Sequence, residues 1–96
     1  MSDVVSVRLP RRLKKSLGKK DWFIELEQAR TLEWVIQILA KECDPSFNEL
    51  LNDPSHRPNW IESIVLNNQM VVLPQDLQLQ VTGGDELFFF EPVSGG

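Results

Sequence analysis

The sequence has no tyrosine, a single cysteine (Cys43) and a single histidine (His56), and each scarcity removes a class of function. A lone cysteine cannot close a disulfide within the chain, which fits a reducing compartment. Zinc is held by several Cys, His or carboxylate ligands together, and one Cys with one His makes no metal cluster. A Cys–His nucleophilic pair is excluded more weakly, on the ground that Cys43 falls on the apolar side of a helix and reads as a small buried hydrophobe. His56, between Pro54 and Pro58, reads as a solvated turn residue. No apolar run approaches the roughly 20 residues that cross a bilayer. Nothing after Met1 resembles a signal peptide, so the chain is expected to be cytoplasmic, with no membrane partner. Internal repeats and low-complexity segments are also missing.

What is present suffices for one core and no more. The 96 residues, 42% of them apolar, with three Trp and five Phe, are expected to form one domain over 1–96. The net charge of −4 hides an asymmetry. Residues 1–20 carry seven basic side chains (Arg8, Arg11, Arg12, Lys14, Lys15, Lys19 and Lys20) against Asp3 alone, whereas residues 21–96 carry three bases against thirteen acids. An acidic body repels phosphates, and no aromatic interleaves the basic stretch, so nucleic acid is not expected as a partner. A protein with a basic face suits the body better.

Alternation and turn residues divide the chain. Val4 to Leu9, rich in β-branched residues and bounded by Pro10, reads as a first strand. Arg11 to Lys20 reads as a basic connector, and Trp22 to Glu27 as a second strand forming a hairpin with the first, with Ile24 and Leu26 on one face. Thr31 is a candidate N-cap, and Glu33 sits in the first turn, where the helix dipole favours a negative charge. Leu32, Val35, Ile36, Leu39, Ala40 and Cys43 then recur at helical spacing on one face. Trp34 and Ile38 fall on the opposite side, either covered locally or left open to a partner. Pro45 ends or kinks the helix, with a short continuation through Phe47, Leu50 and Leu51. After a loop over 53–58, Ile61 to Leu66 reads as a third strand and Asn67-Asn68 as a turn. Met70 to Leu73 reads as a short strand or loop, Gly83-Gly84-Asp85 as a tight turn and Glu86 to Phe90 as the last strand. The expected architecture is α+β, a mixed sheet packed on one main helix, with the first and last strands paired in its centre.

In the last strand, alternation sends Leu87 and Phe89 to one side and Phe88 and Phe90 to the other. One pair must meet the helix; the other carries two large aromatics toward solvent, a connector, a loop or a partner. Pro92 stops the strand, and residues 92–96 then project as a flexible tail ending in Gly95-Gly96. Two glycines leave a thread narrow enough to enter a tight channel. A carboxylate at its tip is a poor electrophile until joined to AMP, after which a sulfur nucleophile can attack and leave a thiocarboxylate. The tail supplies no acid, base or metal ligand, so the catalytic groups would belong to partners.

The run Gly84-Asp85-Glu86-Leu87-Phe88-Phe89-Phe90-Glu91-Pro92-Val93-Ser94-Gly95-Gly96 resembles the end of the small subunit of molybdopterin synthase, within the ubiquitin-like sulfur carriers. That family closes with Gly-Asp-Glu, an apolar strand with paired Phe, Pro-Pro-Val and a small residue before Gly-Gly; Glu91 stands at the first of those prolines. The resemblance implies a β-grasp fold and a cycle in which Gly96, preceded by Gly95, is adenylylated with ATP by a ubiquitin-activating-like adenylyltransferase. Sulfuration to a thiocarboxylate follows, and the tail then enters the large catalytic subunit of molybdopterin synthase. It assigns Phe88, Phe90, Pro92 and Val93 to docking, and it implies no permanently bound cofactor and no catalysis by the chain alone. Related carriers that serve thiamine synthesis, tRNA thiolation or amino-acid biosynthesis, ubiquitin-like modifiers joined to lysines, and a binding module with an incidental Gly-Gly end are the alternatives.

Overall fold

A computed structural model describes residues 3–11, 13, 17–52, 61 and 63–91. Strands β1 (Val4–Arg8) and β2 (Asp21–Glu25) form the expected hairpin, antiparallel, with Val5 opposite Ile24 and Val7 opposite Trp22. The connector between them differs from expectation. Arg11, Leu13 and Leu17 are helical, the Leu13 N–H donates to the Pro10 carbonyl at 3.0 Å, and Leu13 is buried. Leu13 and Leu17, four residues apart, meet the core from one helical face, a spacing masked by the surrounding charge.

A two-residue strand, β3 (Arg30–Thr31), leads into helix α1 (Leu32–Glu42). Thr31 caps it as expected, its Oγ1 accepting from the Trp34 N–H at 3.1 Å. Leu32, Val35, Ile36, Leu39 and Ala40 are buried, the stripe that the spacing required. Cys43 is the C-cap. Asp44 and Pro45 start a 3₁₀ turn, Pro45–Asn48, with the Asp44 carboxylate accepting from the Ser46 N–H at 2.8 Å, and α2 (Glu49–Asn52) follows. Phe47 and Leu50 are buried, so the continuation past the proline belongs to the core.

Strand β4 (Ser63–Leu66) begins two residues later than expected, although Ile61 before it is buried. Asn67 and Asn68 both have positive φ, 50° and 70°, the geometry of a tight hairpin turn into β5 (Gln69–Met70). Of the two readings of Met70 to Leu73, short strand or loop, the strand ends at Met70 and the rest is loop, because Asp76 turns the chain. Its carboxylate accepts from the Val72 N–H and its own N–H donates to the Val72 carbonyl, both at 2.8 Å. A 3₁₀ turn (Gln75–Gln78) then delivers β6 (Gln80–Val81), which pairs with β3 in a small second sheet absent from the sequence reading. At the last turn Gly84 takes φ +94° and donates its N–H to the Val4 carbonyl at 2.9 Å, so this turn is tied to β1.

Strand β7 (Glu86–Phe90) closes the main sheet, whose order is β2-β1-β7-β4-β5. β7 runs parallel to β1 and antiparallel to β4, so the two ends of the chain meet at its centre. Val5, Val7, Ile24, Ile64, Leu66, Leu87 and Phe89 face α1 and Phe47 in one continuous core, in which the Phe47 and Phe89 rings meet edge to face at 5.1 Å. Trp34 and Ile38 pack against that core, half-buried, and the Arg30 guanidinium lies 4.8 Å from the Trp34 ring centre. They are therefore covered locally.

Candidate docking face at the base of the tail

The helix covers one side of the sheet, and strand alternation sends every second residue to the other. The registers place Asp21, Arg8, Phe88, Val65 and Met70 in a single row across all five strands. Phe90 lies beside Ser63 in the next row toward the chain end, and Phe23 lies beside Ser6 and Glu86 in the row on the other side. Phe23 and Met70 are each 63% exposed and Phe90 45% exposed, large values for residues whose burial drives folding. Phe88, half-buried, meets Phe90 edge to face at 5.9 Å. An aromatic and apolar surface thus occupies the open face of the sheet.

Phe88 owes its partial cover to β1. The Arg8 guanidinium lies 5.7 Å from the ring centre, while its Nε donates to Asp21 Oδ1 at 2.8 Å. The ion pair is solvent-exposed and contributes at most about 1 kcal/mol to stability, but it fixes a cation beside the aromatic pair. A depression of about 120 Å³ adjoins Phe88, lined also by Val65, Asn67, Asn68 and Glu86. Its rim is held by reciprocal bonds at 2.9 Å: the Asn67 N–H donates to the Glu86 carbonyl, and Asn67 Oδ1 accepts from the Glu86 N–H.

Of the residues assigned to function from sequence, Phe88 and Phe90 stand together on this face. Pro92, Val93, Gly95 and Gly96 lie outside the described residues, as does the 53–58 loop with His56. Phe23, Val65, Met70 and Arg8 were missed as members of the surface. Each occupies an alternate position of its own strand, but only the registers bring them into one patch. Cys43 is half-buried, and burial, then the Asp44 carboxylate, push its thiol up to about 11, which disfavours the thiolate at neutral pH. Among the described residues no three His, Cys, Asp or Glu side chains stand where they would hold a metal ion, and no helix is long and apolar enough to cross a membrane.

No family model matches the sequence, and no curated protein matches it. Solved structures do. The solution structure of the Haloferax volcanii HVO 2177 protein matches 99% of this chain and 88% of its own, with a TM-score of 0.70 at 22% identity. The ubiquitin-like fold is shared. This chain is a β-grasp protein. The crystal structure of SAMP1 from Haloferax volcanii matches 97% of the β-grasp chain and 99% of its own, at TM-score 0.66 and 21% identity. A Pyrococcus furiosus protein provisionally named molybdopterin converting factor subunit 1 matches 96% of this chain and all of its own, at TM-score 0.64 and 19% identity. These neighbours agree with the resemblance read at the end of the sequence, and at such identities they establish the fold.

Proposed function

We propose that the chain is a ubiquitin-like sulfur carrier that reacts at the carboxylate of Gly96, and that it serves as the small, sulfur-donating subunit of a molybdopterin synthase. The observation that carries the reading is the placement of Phe88 and Phe90. They lie on the open face of the central strand whose continuation is Glu91 and the Pro92–Gly96 segment. A partner that seats on this face is positioned to receive that segment, so recognition and delivery are coupled through one strand.

The chemistry divides between carrier and partners. A Gly96 carboxylate oxygen attacks the α-phosphorus of ATP, which releases pyrophosphate and leaves an acyl adenylate. Hydrosulfide then forms a C–S bond at the carbonyl as the C–O bond to AMP breaks and AMP leaves. The product is a thiocarboxylate. An adenylyltransferase of the ubiquitin-activating kind supplies the ATP site, and the large synthase subunit supplies the acceptor. The carrier contributes a docking face, a narrow thread and an electrophile made reactive elsewhere. A second reading, that the same adenylate is passed to a lysine amine of another protein, is favoured by one specific observation: the likeness to structures named small archaeal modifier protein 1.

Intact-mass measurement after incubation with ATP, sulfide and the host's activating extract tests the reading. The expected result is a gain equal to one oxygen exchanged for sulfur, absent in Gly96→Ala although that variant melts at the wild-type temperature. No gain, in an extract that sulfurates a control carrier, overturns it. Isopeptide-linked adducts that disappear with Gly96→Ala would select the modifier reading instead.

A further inference from the structure

Glu86, Phe88 and Phe90 share the open side of β7, and β1 and β4 flank that strand on opposite sides. On the β1 side Phe88 already has a cation. The Arg8 guanidinium lies 5.7 Å from the ring centre, and its Nε donates to the Asp21 carboxylate at 2.8 Å. An aromatic ring beside a carboxylate suits a planar guanidinium, which stacks on the one and donates N–H groups to the other. On the β4 side the same pair of groups stands together without a cation. Phe88 and Val65 give the depression of about 120 Å³ its apolar lining, and Glu86, Asn67 and Asn68 give it its polar lining. Glu86 is exposed, and no described cation forms an ion pair with it.

The depression is built before anything enters it. Asn67 is tied to the Glu86 main chain by two bonds of 2.9 Å, one from its N–H and one to its Oδ1. The size suits a single long side chain, since pockets for whole cofactors and metabolites run to about 300–1,000 Å³. The charges around it favour a cation. Asp21 balances Arg8, and the Asp85 carboxylate, next to Glu86 in sequence, accepts from the Thr82 N–H at 2.8 Å and pairs with no described cation. A lysine meets a carboxylate as a point charge, whereas an arginine covers an aromatic ring and donates through two N–H groups at once.

We infer that this depression receives an arginine side chain of the protein that docks on the open face, with its guanidinium against the Phe88 ring and its N–H groups donating to the Glu86 carboxylate. Glu86 is then a specificity residue of that face: it admits a partner with an arginine at this place and disfavours one with an acid. The inference rests on the docking role given to the open face under the proposed function, and the contact itself needs neither Gly96 nor ATP.

Random peptides displayed on phage, selected against the full chain, test it. Enriched sequences are expected to carry an arginine beside apolar residues, and synthetic versions should shift the amide resonances of Val65, Asn68, Glu86 and Phe88. Replacing that arginine by citrulline, which keeps the shape and removes the charge, is expected to weaken binding on the order of tenfold or more, and replacing it by lysine should cost less. Glu86→Gln in the chain should cost as much as citrulline in the peptide, at an unchanged melting temperature, and added salt should narrow its difference from the wild type. The inference is overturned if no peptide is enriched above background, if enriched peptides lack arginine, or if citrulline or Glu86→Gln leaves binding unchanged. Concentration-dependent shifts of the Val65 and Phe88 amides without peptide overturn it as well, a second copy then being the occupant. The mass measurement on the wild-type chain keeps the two proposals apart. Sulfur uptake with arginine-free peptides removes the site and leaves the carrier. Arginine peptides that depend on Glu86, without sulfur uptake, leave the site and remove the carrier.

Discussion

At the scale of single residues, Phe89 and Phe90 are adjacent in sequence and opposite in consequence. Phe89 is 2% exposed and meets the Phe47 ring in the core, so Phe89→Ala is expected to cost about 3–5 kcal/mol in urea unfolding. Phe90→Ala, on the open face, should change stability by no more than about 0.5 kcal/mol and instead weaken the complex with the activating partner. A large loss of stability in Phe90→Ala would place that ring in the core and remove it from the docking face. Cys43 yields a pH prediction. With the thiol raised from 9.0 to about 11, its alkylation at pH 8 is expected to be slower than that of an unshifted thiol by about tenfold, the scarcer thiolate being the more nucleophilic, and still rising at pH 10. The linkage runs in the same sense. The unfolded chain ionises this thiol near pH 9 while the folded chain retains the proton, so its contribution to stability is present below pH 9 and is lost as pH rises toward 11. Ser46 Oγ is buried with no hydrogen-bond partner among the described residues, and Ser46→Ala is expected to raise stability by about 1 kcal/mol, read as a higher midpoint at unchanged slope.

At the scale of elements, legibility followed period and capping. The main helix was readable because its apolar residues repeat at helical spacing and Thr31 stands where an N-cap belongs. Thr31→Ala should cost about 1 kcal/mol, since the Trp34 N–H loses its acceptor; an unchanged melting curve would mean that solvent replaces the cap without penalty. The first and last strands were readable from composition and their bounds, Val4 to Leu9 being β-branched before Pro10 and Glu86 to Phe90 apolar after the Gly83-Gly84-Asp85 turn. The connector was not, because charge dominates its composition and the Leu13–Leu17 spacing covers a single turn. Nor was the β3–β6 pair. Arg30-Thr31 and Gln80-Val81 are too short for any period, and they pair only because α1 and the Gln75–Gln78 turn, joined by the Leu32 N–H bond to the Leu79 carbonyl at 2.8 Å, hold them side by side. Met70 to Leu73 has the composition of a strand, and Asp76 bends it out of one.

At the scale of the whole molecule, the central place of β7 makes folding depend on both ends of the chain. Leu87 and Phe89 are inner-face residues flanked by β1 on one side and β4 on the other. A chain ending at Asp85 is therefore expected to lose its cooperative thermal transition, and in the full chain the slowest-exchanging amides should belong to β1 and β7. A folded truncate would show that the remaining strands close the sheet without it. By itself the sequence determined which residues alternate, which repeat at helical spacing and where the chain must turn. These are local properties, written in neighbours a few positions apart, and they were enough for the α+β class, the main helix and the inward and outward sides of the last strand. Tertiary structure alone decided that the open side of that strand shares a surface with Arg8, Phe23, Val65 and Met70, and that Glu86 and Phe88 line one depression with Val65. Register and strand order are set by which apolar faces can be buried together, and that choice joins residues far apart in the chain.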